Sequence, residues 1–131
     1  MDVNAVKLVL IMGVLMLLVD MVWLTIRQPY HNALFSAVQK SPLKMRLAPA
    51  IGVYILLPVI VYLAAVKDAS SAQNALVRGA ITGFLLYGFY DLTNYATLTG
   101  WTLHMTLTDT LWGTFVCAVG AAAGYYFAKL I

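Results

Sequence analysis

Hydrophobic and polar positions divide the chain into four long apolar runs joined by short polar stretches. The first run extends from Leu8 to Ile26, between Lys7 and Arg27, with Asp20 inside it. The second extends from Leu47 to Val66, between Arg46 and Lys67, with no charge inside. The third begins at Gly79 after Arg78 and reaches about Leu98, with Asp91 inside; the fourth runs from about Thr110 to Ala128, between Asp109 and Lys129. A hydrocarbon core of ~30 Å needs about 20 helical residues at ~1.5 Å each, so every run is long enough to cross. The runs are too long for barrel strands and lack strict alternation, which predicts helices. The expected architecture is all-α. It is a single domain over residues 1–131, an integral membrane four-helix bundle with spans at about 8–26, 47–66, 79–98 and 110–128.

The polar stretches refine this picture. Four crossings put both termini on one side, A, together with the connector between Lys67 and Arg78. The loops 27–46 and 99–108 then lie on side B. The balance of Lys and Arg near span ends ordinarily sets orientation. Here Lys7, Lys67, Arg78 and Lys129 on side A are matched by Arg27, Lys40, Lys44 and Arg46 on side B, so the orientation stays open. Ile26 is followed by Arg27-Gln28-Pro29-Tyr30, with no small-residue cleavage site, so the first run reads as a retained helix rather than a signal peptide. In the first loop, Tyr30, Leu34 and Val38 recur at helical spacing between Pro29 and Pro42. That pattern predicts a short separate helix lying in the headgroup region, with Pro29 in its first turn. Pro58 predicts a kink in the second span. Gly79 and Gly83 on the third span, and Gly113, Gly120 and Gly124 on the fourth, are small residues that let helix backbones approach in lipid; Cys117 and Ala121 continue the four-residue spacing from Gly113.

Composition supports the membrane assignment. The chain is 63% hydrophobic and 10% charged, whereas soluble domains are about half apolar and about a quarter charged. Net charge +3 is too thin for a phosphate-binding face, so no nucleic-acid partner is expected. The bilayer is the expected partner, and a small solute or lipid, a second copy or another membrane protein stay open beside it. Cys117 is the one cysteine and sits in an apolar run, where it reads as a packing residue. No CxxC, HExxH, GxGxxG or P-loop pattern is present, and the chain has no Glu. Neither a metal site nor another cofactor is therefore expected. No nucleophile–base pair is visible either, and the sequence leans away from an enzyme.

The candidate chemistry lies in the carboxylates. An ionisable side chain inside a membrane helix costs several kcal/mol and marks a functional site by default. Asp20 lies about 10 Å below the side-B end of its span, Asp91 roughly 6 Å from the same end, and Asp109 opens the fourth span. Three helices thus bring a carboxylate to one leaflet. Tyr87, Asp91 and Asn94 share a helix face, with Thr93 nearby. Asp20 and Trp23 are three apart, as are Asp109 and Trp112, in strings that match from Leu18 to Thr25 and from Leu107 to Thr114. The expected polar pocket is Asp20, Asp91, Asn94, Thr93 and Asp109, walled by Trp23, Tyr90, Trp101 and Trp112. Arg27 is expected to reach back to Asp20. His31 and His104 read as interfacial polar groups. The opposing reading keeps all three carboxylates as hydrogen-bonded register contacts, with Asp109 an N-cap.

The string from Tyr90 to Trp101 (YDLTNYATLTGW), then Asp109-x-x-Trp112-Gly113-Thr114 and Asp20-x-x-Trp23-Leu24, resembles an uncharacterised family of small membrane proteins, domain of unknown function 2177. The resemblance covers essentially the whole chain. It implies a four-helix membrane domain and no particular activity. Three functions follow as expectations: a side-B pocket that binds or passes a small solute or proton; a structural or accessory subunit of a viral or organellar membrane assembly; and a helper of lipid modification.

Overall fold

The computed structural model describes all 131 residues. It contains four helices and no strand: α1 Val3–Gln39, α2 Leu47–Val66, α3 Ala72–Thr97 and α4 Leu103–Ala128. Side-chain caps set three of the starts. The Asp2 carboxylate accepts from the Ala5 amide (2.8 Å), Ser71 Oγ from Asn74 (3.0 Å) and Thr102 Oγ1 from Met105 (3.0 Å). Each satisfies a backbone donor that the first helical turn leaves free. Gly100, with φ +94°, makes the tight turn between α3 and α4, a conformation that costs glycine little.

α1, α2 and α4 are long and apolar enough to cross a membrane. α3 has the length, but Asp91, Asn94 and its Thr, Tyr and Gly residues lower its hydropathy. The chain ends meet at one end of the bundle, where Asp2 and Leu8 lie beside Val66, Lys67 and Ala128. The core runs through the middle, from Leu8, Met12 and Met16 of α1 to Val61 and Ala65 of α2, Ala75 of α3 and Val116, Cys117 and Ala121 of α4.

Two antiparallel seams on α4 fix the register. Against α3, helix positions one turn apart pair in order: Gly79 with Ala121, Gly83 with Cys117 and Tyr87 with Gly113. A methyl group on Gly79 would sit 2.6 Å from the Ala121 Cβ, and one on Gly113 would fall inside the Tyr87 ring. The backbones touch because these positions lack side chains. Against α1, Gly124 receives the Met12 side chain and Gly120 that of Met16.

Two expectations need correction. The segment after Pro29 is helical, but it is not a separate helix: α1 continues through Pro29 to Gln39, 37 residues in all. A proline inside a helix loses one backbone bond and crowds the preceding turn. Docking of the extension offsets this. Leu34 is buried with Trp101 and Met105, and the Tyr30 hydroxyl bonds Thr102 Oγ1. At ~1.5 Å per residue α1 is about 55 Å long, well beyond the hydrocarbon core. Its last ten residues cover the α3–α4 turn. Asp109 is not an N-cap. Thr102 is, and α4 has run almost two turns before it reaches Asp109. The second span does depart from regular geometry near Pro58, with its last turn, Tyr62–Val66, wound as a π-helix. The freed Tyr54 carbonyl faces Gly13, where an added Cβ would lie 3.3 Å from it.

Candidate functional site

The α3–α4 seam continues past Tyr87 into chemistry. The next turn of α3 carries Asp91, and the preceding turn of α4 carries Asp109. Their carboxyl groups lie within hydrogen-bonding reach of each other. Asp91 is completely buried, and neither of its oxygens receives a donor from the backbone or from any other side chain. Each of the two lies six residues inside its helix, so both are about 9 Å from the side-B end. The glycine seam draws them together: the helices are already in backbone contact two turns away.

Asp20 belongs to a different set of contacts. It accepts from Trp112 Nε1 at 2.8 Å and from the Tyr54 hydroxyl. Three helices, α1, α2 and α4, are thereby tied at one carboxylate. Trp23 stacks flat on Trp112, with ring centroids 4.7 Å apart and planes 6° apart. The two matching strings thus meet across the α1–α4 seam through their tryptophans. Trp112 donates to Asp20, while Trp23 Nε1 is buried without a partner.

The expected Arg27–Asp20 pairing does not occur. Arg27 points the other way, donating from Nη2 to His104 Nε2 at 3.0 Å and approaching Thr108 Oγ1 at 3.4 Å. Because a guanidinium can only donate, His104 accepts at Nε2 and carries its proton on Nδ1. The Arg27 guanidinium also lies over the Tyr30 and Trp23 rings, at 4.5 and 5.4 Å from their centroids. His104, expected as a loop group, is therefore part of a latch between α1 and α4.

Other expected residues divide between interior and exterior. Trp101 is buried under the α1 extension, edge-on to Phe35 at 5.3 Å and to Tyr90 at 6.2 Å. His31, also buried, is edge-on to Trp23 and Phe35 at 6.5 Å. Asn94 is half-buried beside the Tyr90 hydroxyl. Thr93 faces outward, and its hydroxyl bonds back to the Phe89 carbonyl at 2.7 Å. It takes no part in the cluster. Tyr54 escaped the sequence reading; its signal was a lone hydroxyl in the side-B half of an otherwise apolar span.

Toward the side-B end, then, several polar atoms are buried and unpartnered: both Asp91 oxygens, Trp23 Nε1, Trp101 Nε1, His31 Nε2 and Arg27 Nε. Buried polar groups are nearly always satisfied, so such a concentration is unusual and calls for ligand or water. No group of His, Cys, Asp or Glu is arranged to hold a metal ion.

An all-helical bundle with three membrane-length apolar helices and ionisable side chains buried among them is the architecture of a polytopic membrane protein. The chain belongs to the DUF2177 family of predicted membrane proteins, whose model matches residues 5–126. No curated protein and no solved structure matches it.

Proposed function

We propose that the protein crosses the membrane four times and that the Asp91–Asp109 pair is a proton-exchanging site serving a small polar solute at side B. One observation carries this reading: a completely buried carboxyl group with no donor, held against a second carboxyl group. Two abutting carboxyl groups are accommodated by sharing a proton or by holding a cation between them. A proton suits the absence of Glu and of any ligand cluster. The unpartnered donors Trp23 Nε1 and Trp101 Nε1, with His31, offer the solute hydrogen bonds. Asp20 acts on this site through Trp112, by holding the stacked tryptophans.

Crossing by α3 is supported by its outer surface. Ile81, Phe84, Leu85, Phe89 and Leu92 are all exposed along it, a face that suits lipid. With α3 crossing, both termini fall on one side of the membrane.

Infrared difference spectroscopy of the protein in lipid nanodiscs tests the site. A pH step is expected to produce a protonated-carboxyl band that Asp91→Asn removes and Asp20→Asn keeps. A spectrum with no such band, or one unaffected by Asp91→Asn, refutes proton exchange. In that case the register-setting role in an accessory subunit takes its place.

A further inference from the structure

α1 and α2 touch at one crossing and then separate. At the crossing, a Cβ on Gly13 would lie 3.2 Å from Pro58 Cγ. Beyond it, toward side B, α2 has no buried residue: Pro58 and Val61 alone are buried in the α-helical part of this span. The opening is a groove of about 390 Å³, within the range of ligand sites. Val14, Met21 and Leu24 form one wall and Met45, Leu47 and Ile51 the other, and no charged side chain lines it. At its inner face the Tyr54 hydroxyl turns away to Asp20, so the groove is separated from the carboxylate cluster.

Its mouth has the opposite character. Met45, 82% exposed, stands between Lys44 and Arg46, with Lys40 just before them. Residues 27–46 contain no acidic residue. Arg27 is engaged by His104 and two aromatic rings, but Lys40, Lys44 and Arg46 are exposed. An apolar channel in the hydrocarbon thus ends at a patch of free cations at headgroup depth.

We infer that this groove binds one acyl chain of an anionic phospholipid, with its phosphate held by Lys44 and Arg46. Shape and lining suit a chain: from Gly13 to Leu24 the groove runs about 16 Å with no charged side chain along it. Charge selects an anionic headgroup over a zwitterionic one. This inference is independent of the proton site, because the two lie on opposite sides of Asp20 and Tyr54.

The test is native mass spectrometry of the full chain, released from vesicles of phosphatidylglycerol and phosphatidylcholine in equal parts. One lipid retained per chain is expected, with phosphatidylglycerol enriched at least fivefold. A basic residue near a membrane surface favours an anionic lipid by about fivefold. Replacing both cations (Lys44→Ser with Arg46→Ser) is expected to bring the ratio close to one while a lipid is still retained. Ala50→Trp, which fills the groove, is expected to remove the retained lipid; Leu85→Trp, on the outer face of α3, is expected to keep it. Equal retention of both lipids overturns the inference, as does a ratio unmoved by the double substitution. So do lipid retention undiminished by Ala50→Trp, and a lipid-free dimer in place of the lipidated chain, which assigns the groove to a second copy.

Discussion

Gly79→Ala and Gly52→Ala are the same chemical change in two environments, and their difference measures the seam that assembles the site. At Gly79 the new Cβ would lie 2.6 Å from the Ala121 Cβ and 3.1 Å from the Ala118 Cα. Carbon atoms settle at about 3.5–4.0 Å, so α3 and α4 must move apart there by roughly 1 Å. A gap of that size forfeits about a quarter to a half of the dispersion energy of each contact along the seam. Overpacking of this kind costs about 1–3 kcal/mol, and the better helix propensity of alanine returns about 0.5–1 kcal/mol. The net expectation is a loss of up to about 2.5 kcal/mol. At Gly52 nothing lies within 4 Å of the new methyl, so only the propensity gain of about 0.5–1 kcal/mol applies. The propensity gain is common to both, so the two variants should differ by the overpacking cost, roughly 1–3 kcal/mol, in a reversible SDS titration from mixed micelles, followed by circular dichroism. Gly79→Ala should also weaken the protonated-carboxyl band, because Asp91 lies on the same face three turns further along α3. A Gly79→Ala protein as stable as Gly52→Ala would refute the backbone seam and with it the reason for the Asp91–Asp109 encounter.

The same titration checks three further expectations. Tyr54→Phe removes one of the two donors to Asp20 and should cost about 1.5–3 kcal/mol, the range for hydrogen bonds to a charged group; no change would mean that Asp20 is held by Trp112 alone. Pro29→Ala should stabilise the protein by at least about 1 kcal/mol, since α1 runs through this position and proline costs about 3 kcal/mol in a helix interior; a neutral result would mean that the helix breaks there. Arg27→Lys keeps the charge but loses the planar contact with Tyr30 and Trp23. It should cost about 1 kcal/mol and speed hydrogen exchange in residues 30–39, and unchanged exchange would show that the latch does not hold the α1 extension.

What the sequence revealed followed from local periodicity, and what it hid depended on distant contacts. The apolar runs gave the helices because their length and composition are local properties. The continuity of α1 was hidden because Pro29 is a good first-turn residue and a poor interior one. Only the docking of Leu34 under Trp101 and Met105 decides between the two roles. Asp109 looked like a cap for the same reason, with Thr102 as the true cap seven residues earlier and separated from it by almost two turns in which polar and apolar residues are equally frequent. Arg27 had Asp20 within reach on its own helix, yet His104 and the aromatic faces of Trp23 and Tyr30 hold it toward α4.

The carboxylate pair itself was half legible. The four-residue spacing of Gly79 and Gly83 is plain, as is the shared face of Tyr87 and Asp91, but these are one ladder. The matching ladder on α4 runs from Asp109 through Gly113 and Cys117 to Ala121. Once Gly83 is set against Cys117, antiparallel geometry brings Asp91 to Asp109 with no further choice, since each ladder advances one turn per step. The small residues that bring the two backbones into contact and the acids that α3 carries into the interior also explain why α3 falls below the hydropathy of the other three helices. Its apolar side chains are kept for the outer face, at Ile81, Phe84, Leu85, Phe89 and Leu92, while its inner face is spent on glycine, tyrosine and aspartate. A helix that turns lipid-compatible residues outward and carries a buried acid inward has the division of labour expected of a span that lines a polar site. Low average hydropathy in α3 is therefore consistent with crossing.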